Sequence, residues 1–226
     1  MPTYILIIVH LLLVCRPALA AEPVSKETRQ ALMREGLFLR SVPTDDQPGA
    51  TAIDLETPIV SRGLGSTASD ANPQYQQGLL AYFSRDYPQA IALWRPLAEQ
   101  GHAQAQANLG WIYQQGIGVP ADQQAALLWL ARAAEQGHVV AQNNLGASYE
   151  NGWGIAQNYL IAAQWYRRAA AAEYGNAQYN LALLLMHGKG VKKDPAEAQL
   201  WFVKAVARGV AQARDYVQKI DSDKDN

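Results

Sequence analysis

The sequence predicts an all-α fold, an array of stacked helix pairs, on three recurring features. The residues at 105–109 return with the same pattern at 141–145 and 177–181, which sets a period of 36 residues without gaps. Two glycines and one tryptophan keep the same register. These structural repeat residues are Gly116, Gly118, Gly152, Gly154, Gly188, Gly190, Trp129, Trp165 and Trp201. A fixed period of this length is typical of stacked supersecondary units rather than one globular core.

Each unit is expected to contain two helices. In the unit that begins at Gly101, apolar residues at 105, 109, 112 and 113 follow helical spacing and predict helix A over residues 103–115. Gly116 stands where a helix C-cap glycine belongs. Asp122 is placed to cap helix B, as are Asn158 and Asp194 in later units. Helix B is expected to bury residues 126, 129, 130 and 133, and the recurring tryptophan is expected to pack between neighbours.

The array is expected to span residues 73–220. It contains a shorter unit at 74–100, full units at 101–136, 137–172 and 173–208, and a capping helix at 209–220, followed by a polar tail at 221–226. His102 and His138 are one period apart, which favours a role at the start of helix A over metal binding. Gly101, Gly137 and Gly209 keep the period, but position 173 is Glu, so a bend is expected there.

The first 20 residues have the pattern of a secretory signal peptide cleaved after Ala20, because a short apolar run precedes a small-x-small triplet. The alternative is retention of this segment as a membrane anchor. Cys15, the only cysteine, would be lost on cleavage. Residues 21–72 are expected to form a linker with a short amphipathic helix at 25–40. This region is either a disordered spacer or a segment that folds onto the array or a partner.

Charge and motif content favour a non-catalytic protein. The chain has 19 basic and 20 acidic residues, a net charge of −1 and a pI near 6.4, so nothing favours nucleic acid as a partner. The sequence contains no nucleophile motif, phosphate-binding loop or set of ligands with metal-binding spacing. We therefore expect no catalytic residues, no metal and no cofactor.

The recurring residues resemble the Sel-1-like repeat, a relative of the tetratricopeptide repeat. The shared pattern is Ala-Gln-x-Asn-Leu-Gly, Gly-x-Gly-Val, Asp, Ala-x-x-Trp and Ala-Ala, and it covers roughly residues 74–220. The departures are Ile155 after Gly154, Ala182 after Leu181, and Leu185 where the first two units have Tyr113 and Tyr149. The resemblance implies a right-handed α-solenoid of antiparallel helix pairs that binds other proteins, often at a membrane or in the bacterial envelope.

Comparison of equivalent positions in the three full units separates two kinds of residue. Positions that are alike in every unit serve the fold, whereas positions that differ are free to contact a partner. In this architecture helix A usually lines the concave face, so its varying residues form the predicted partner-binding site. That site comprises Trp111, Tyr179, Leu183, Met186, Asn143 and Gln115. The alternative is that some of these residues pack against the next helix or the N-terminal segment.

The sequence therefore predicts a monomeric periplasmic or secreted adaptor, without membrane insertion after cleavage, that holds a peptide or partner protein in its concave groove. One alternative is a binder or hydrolase of β-lactams or cell-wall fragments, an activity linked to some exported relatives. Those relatives are rich in cysteine, whereas the mature chain has none. A third hypothesis is autoinhibition, in which residues 25–40 occupy the chain's own groove.

Overall fold

The described part of the chain is a helical solenoid. The computed structural model describes residues 72–222, which contain nine α-helices and no strand. The helices are α1 (Pro73–Phe83), α2 (Tyr87–Glu99), α3 (Ala103–Gln115), α4 (Gln123–Glu135), α5 (Val139–Asn151), α6 (Tyr159–Ala171), α7 (Gly175–His187), α8 (Pro195–Ala207) and α9 (Ala213–Ser222). The all-α prediction is confirmed. The predicted signal peptide, linker and helix at 25–40 lie outside the described residues.

The helices pack in sequence order. The most extensive contacts join the two helices of a unit, namely α1 with α2, α3 with α4, α5 with α6 and α7 with α8. Each helix B also packs against helix A of the next unit, and α9 packs against α8. Each unit therefore buries its apolar faces against its neighbours, as a solenoid requires.

Side chains cap the helices where the sequence predicts. The carboxylate of Asp122 accepts hydrogen bonds from the backbone N–H groups of Gln124 and Ala125, and Asn158 and Asp194 cap the later B helices in the same way. Nδ1 of His102 accepts from the N–H of Ala105 at 3.2 Å, and His138 repeats the contact one unit later. The histidines thus satisfy helix N–H groups that lack a partner within the helix.

The two glycines of each Gly-x-Gly turn have different tasks. Gly116, like its counterparts in the next two units, ends helix A in the left-handed conformation. The second glycine is also left-handed and lies directly against the start of the preceding helix B. A Cβ on Gly118 would come within 2.4 Å of Cβ of Tyr87, and one on Gly154 within 2.5 Å of the carbonyl oxygen of Gln123. This turn therefore fixes the distance between neighbouring units.

The different backbone path expected at position 173 is not seen in the local turn. Glu173 has a φ of 63°, which is the same left-handed conformation as Gly101, Gly137 and Gly209. Its exposed carboxylate forms an ion pair with Arg208. The glycine that does distinguish this junction is Gly175, because a Cβ there would come within 2.8 Å of Cβ of Arg208. The connection to the third full unit therefore follows the same local path as the others.

The capping helix begins and ends later than predicted. It starts at Ala213 rather than near residue 210, and it extends to Ser222 into the predicted polar tail. The N–H of Val210 bonds to the carbonyl of Ala205, so this residue belongs to the turn that follows α8. The side chain of Val210 is buried in the last core cluster.

The deepest core position of helix B follows the recurring tryptophan. Leu130, Tyr166 and Phe202 occupy this position, and each is fully buried. The tryptophans pack at the margin of the core, where Trp129 is buried and Trp165 and Trp201 are half-buried. Trp165 packs against a core cluster formed by residues of α3, α4 and α5.

Candidate protein-interaction surface

The predicted exposed aromatic patch on helix A does not form around Trp111. Its side chain is only 1% exposed, within a cluster that includes Leu130, Val140 and Leu145. The residue therefore belongs to the interface between α3, α4 and α5. The alternative stated above, packing against the next helix, is the correct one for Trp111.

Tyr179 is also buried, with 8% of its surface exposed. Its ring centroid lies 5.8 Å from that of Phe202 and 5.9 Å from that of Tyr216 on the capping helix. Burial, and secondly the nearby Tyr216, raises the pKa of the Tyr179 hydroxyl well above its usual range. This residue joins the last full unit to α9, so the expectation that it forms part of an exposed patch is also corrected.

Asn143 is fully buried in a polar contact between repeats. Its Nδ2 donates to Oδ1 of Asn144 at 3.2 Å, and its Oδ1 accepts from Nδ2 of Asn180 at 3.0 Å. This hydrogen bond connects helix A of one unit to helix A of the next. The residue therefore stabilises the array at a place where the sequence predicts an open surface.

Leu183 and Met186 keep part of their surface accessible. Both are half-buried on α7 against the last core cluster. By contrast, Trp111 and Ala147, which hold the position of Leu183 in the earlier units, are fully buried. In the earlier units a complete helix pair follows helix A, whereas α7 and α8 are followed by α9 alone within the described residues. The apolar part of the predicted site is thus accessible only near this end of the array.

The ends of the A helices carry an accessible row of side chains. Gln115, Asn151 and His187 occupy equivalent positions, one per full unit, and all three are exposed. They differ in type from unit to unit, as expected for positions that the fold itself does not require. Together with Leu183 and Met186, the exposed Gln115 is what remains accessible of the predicted partner-binding set.

A set of glutamines that the sequence interpretation overlooked ties the units together. Nε2 of Gln106 donates to the carbonyl of Ala98 at 2.8 Å, and Gln142 and Gln178 make the same bond to Ala134 and Ala170. Each of these carbonyls, in the last turn of the preceding helix B, also accepts from the N–H of Gly101, Gly137 or Glu173, so the glutamine adds a second hydrogen bond. The signal was visible, because glutamine stands at this position in all three full units.

Exposed apolar side chains on the B helices were also overlooked. They are Leu128, Leu160, Leu200 and Val203. The recurring tryptophans lie near them under basic groups, with Arg132, Arg168 and Lys204 at 4.9, 4.4 and 4.2 Å from the ring centroids of Trp129, Trp165 and Trp201. Repeat comparison had identified the tryptophans only as packing residues, so this surface of helix B received no prediction.

Metal ligands and membrane-spanning helices were considered for the described residues. Residues 72–222 contain no group of three or more His, Cys, Asp or Glu side chains positioned to hold a metal ion. No helix in this part of the chain has the length and apolar character needed to span a membrane.

Comparison with known proteins places these helix pairs in one repeat family. Residues 75–102, 103–138, 139–174 and 175–210 match the Sel1 repeat. Each of the three full repeats begins at the first residue of a helix A, two residues after the predicted unit boundary. Comparison with curated protein sequences gives no match.

The chain is also similar to solved structures, of which the first agrees with the fold described above. A Sel1 repeat protein from Oxalobacter formigenes is 34% identical over 63% of this chain, with a TM-score of 0.61, and the chain spans 59% of that protein's length. Cysteine-rich protein B of Helicobacter pylori is 25% identical, covering 57% of this chain and 92% of its own, with a TM-score of 0.46. A protective antigen of uropathogenic Escherichia coli strains with an SLR fold is 26% identical, covering 67% and 41%, with a TM-score of 0.41.

Proposed function

The chain belongs to the Sel1 repeat family, whose members generally mediate protein–protein interaction, and we propose that it is a non-catalytic adaptor of the cell envelope. In this proposal the adaptor holds a peptide or partner protein on the concave side of the array, which the A helices line. The contact surface includes Leu183, Met186 and Gln115, the accessible members of the predicted site.

The observation that carries the proposal is the contrast between Leu183 and its equivalents. Trp111 and Ala147 are buried within the array, whereas Leu183 keeps accessible apolar surface. Met186 follows Leu183 by three residues, about one helical turn, on the same helix. Partly accessible apolar side chains on a helix can fill a pocket on a partner, and methionine is among the residues enriched at interfaces. A partner would cover Leu183 and Met186 with its own apolar side chain.

The polar row supplies the second kind of contact. Gln115, Asn151 and His187 are spaced by one repeat along the array, so a partner chain that follows the row meets one of them per unit. Amide groups both donate and accept hydrogen bonds, which suits them to the backbone of a peptide. The proposed partner is therefore an extended peptide or loop with at least one apolar side chain that reaches α7.

The envelope location rests on the N-terminal sequence. The apolar run followed by Ala18-Leu19-Ala20 supports export with cleavage after Ala20. We propose a periplasmic or secreted protein. Mass measurement of the protein recovered from cells tests this directly, since cleavage leaves Ala21 as the first residue and removes the only cysteine.

The binding proposal is tested by affinity capture from envelope extract with a matched pair of variants. Leu183→Ala together with Met186→Gln introduces the residues that the earlier units already use at these positions, Ala147 and Gln114. Leu128→Ala removes a similar amount of apolar surface from α4, where 50% of the side chain is exposed. We expect the parent chain and the Leu128 variant to retain the same protein, and the α7 double variant to lose it.

Circular dichroism of the three chains serves as the folding control. Equal retention by all three, at equal helical content, would refute the assignment of the contact to α7. Loss of capture only in the Leu128 variant would move the contact to the outer surface of the B helices.

A further inference from the structure

The outer surface of α8 carries an apolar stripe that no other helix in the described array repeats. Ala196, Leu200, Val203 and Ala207 are all exposed and follow one another at intervals of four, three and four residues. This spacing places them along one side of the helix. Leu200 is 65% exposed and Val203 is 48% exposed, so the two largest side chains of the stripe project into solvent.

The repeat itself does not require this stripe. In α6 the positions of Leu200 and Val203 are held by Gln164 and Arg167, which are also exposed, and in α4 by the exposed Leu128 and the half-buried Ala131. The fold therefore accepts polar and charged side chains at these places. Solvent exposure of two neighbouring large apolar residues costs solubility, so their presence on one helix alone points to an intermolecular contact.

We propose that α8 pairs with α8 of a second copy of the chain, antiparallel about a two-fold axis. The stripe is self-complementary. Its side chains run small, large, large, small at intervals of four, three and four residues, so the spacing and the order of sizes stay the same when the helix is reversed. About an axis midway between Leu200 and Val203, each leucine opposes the other copy's valine, and small alanines meet at both ends. Small residues at the ends let the helices approach closely while the large ones interlock.

The charges beside the stripe favour an uncharged surface as the occupant. The carboxylate of Glu197 accepts from Nε1 of Trp201 at 3.1 Å and lies 3.5 Å from the guanidinium of Arg167. Lys204 lies over the Trp201 ring. These groups are engaged within the chain, so the stripe offers no countercharge that would select an acidic or basic partner. A second stripe of the same kind needs none.

The size of the stripe sets the strength of the pairing. A helix of 13 residues is about 20 Å long, and one side of it buries less than the roughly 800 Å² per partner that stable complexes use. The interface is isologous, so association stops at a dimer instead of continuing into a filament. The chain is therefore expected to be a monomer when dilute and a weak dimer when concentrated.

Sedimentation equilibrium of the full chain tests the proposal. The chain is kept under reducing conditions, because Cys15 could otherwise link two copies. Over roughly 10 μM to 1 mM, the range expected for so small an interface, we expect the average mass of the parent to rise toward that of a dimer. Leu200→Gln with Val203→Arg, the residues of α6, should hold the mass at that of a monomer. Leu128→Gln, the same change on α4, should leave the rise intact.

A cysteine-pairing experiment tests the antiparallel geometry separately. In a Cys15→Ser background, chains with Ala196→Cys and chains with Ala207→Cys are mixed and oxidised. The proposed axis brings position 196 of one copy next to position 207 of the other, so the mixed disulfide should form in preference to either self-pair.

A parent chain that stays monomeric throughout the concentration range would overturn the proposal. Concentration-dependent mass that the α8 double variant leaves unchanged would also overturn it, because association would then use another surface. Preferential self-pairing of the position 196 cysteines would rule out the antiparallel arrangement.

Discussion

Glu173 and Gly137 stand one repeat apart and share the same left-handed turn. Their φ angles are 63° and 86°, and the N–H of each donates at 3.0 Å to a carbonyl three residues earlier, that of Ala170 or Ala134. The turn connects helix B of one unit to helix A of the next. Glycine adopts this conformation without steric cost, whereas glutamate does not.

Replacement of Glu173 by glycine should therefore stabilise the array. A non-glycine residue in this conformation costs about 1–2 kcal/mol, and the ion pair with Arg208 that would be lost is solvent-exposed and contributes little. We expect Glu173→Gly to raise the free energy of unfolding by about 1 kcal/mol in urea titrations. Gly137→Glu should lower it by a similar amount, and a loss of stability in Glu173→Gly would contradict this assignment of strain.

Trp111 should behave as a core residue. Truncation of a fully buried tryptophan to alanine typically costs about 3–5 kcal/mol, since the packing contacts are lost and a cavity remains. We expect Trp111→Ala to lower the urea midpoint strongly. Gln115→Ala changes an exposed side chain on the same helix, so it should change the free energy of unfolding by no more than about 0.5 kcal/mol. Equal midpoints for the two variants would show that Trp111 lies on the surface.

Tyr166 should make the array less stable in alkali. Burial raises the pKa of its hydroxyl well above the usual range, and Glu150, which accepts its hydrogen bond at 2.8 Å, raises it further. The folded chain therefore keeps this proton at a pH where the unfolded chain, with a tyrosine pKa of about 10, releases it. Stability from this group is complete below pH 10 and falls as the pH rises beyond it.

Unfolding by urea between about pH 8 and pH 11 measures this loss, since the slope against pH counts the protons released on unfolding. Tyr166→Phe is the matched variant, because Phe202 already occupies the equivalent position in the next unit. We expect the variant to lose stability less steeply above pH 10 than the parent. Identical slopes would show that Tyr166 ionises equally well in the folded chain.

The repeat positions predicted most of the fold because their task is local. Glycines at helix ends and Asp or Asn at helix starts act on backbone groups a few residues away, so their spacing alone defines the helices. Helix A of the first full unit was predicted at residues 103–115, and the structure has it there. Glu173 is the exception, because the turn geometry overrides the preference of its side chain.

The prediction of the interaction site was less accurate than that of the fold, because a position that varies between units is not necessarily exposed. Trp111 and Ala147 differ greatly in size at one position, yet both are fully buried, since each junction between units is packed by its own set of side chains. Whether such a residue is covered depends on the helices that follow it. This explains why Leu183, near the end of the array, keeps accessible surface that its equivalents lack.

Photo-crosslinking shows whether a partner contacts α7. Benzoylphenylalanine placed at position 183 reports contacts of that side chain, and the same probe at position 128 reports contacts on the outer surface of α4. We predict that irradiation in envelope extract joins one protein to the chain from position 183 and none from position 128. A crosslinked partner obtained only from position 128, or from neither position, would contradict the claim.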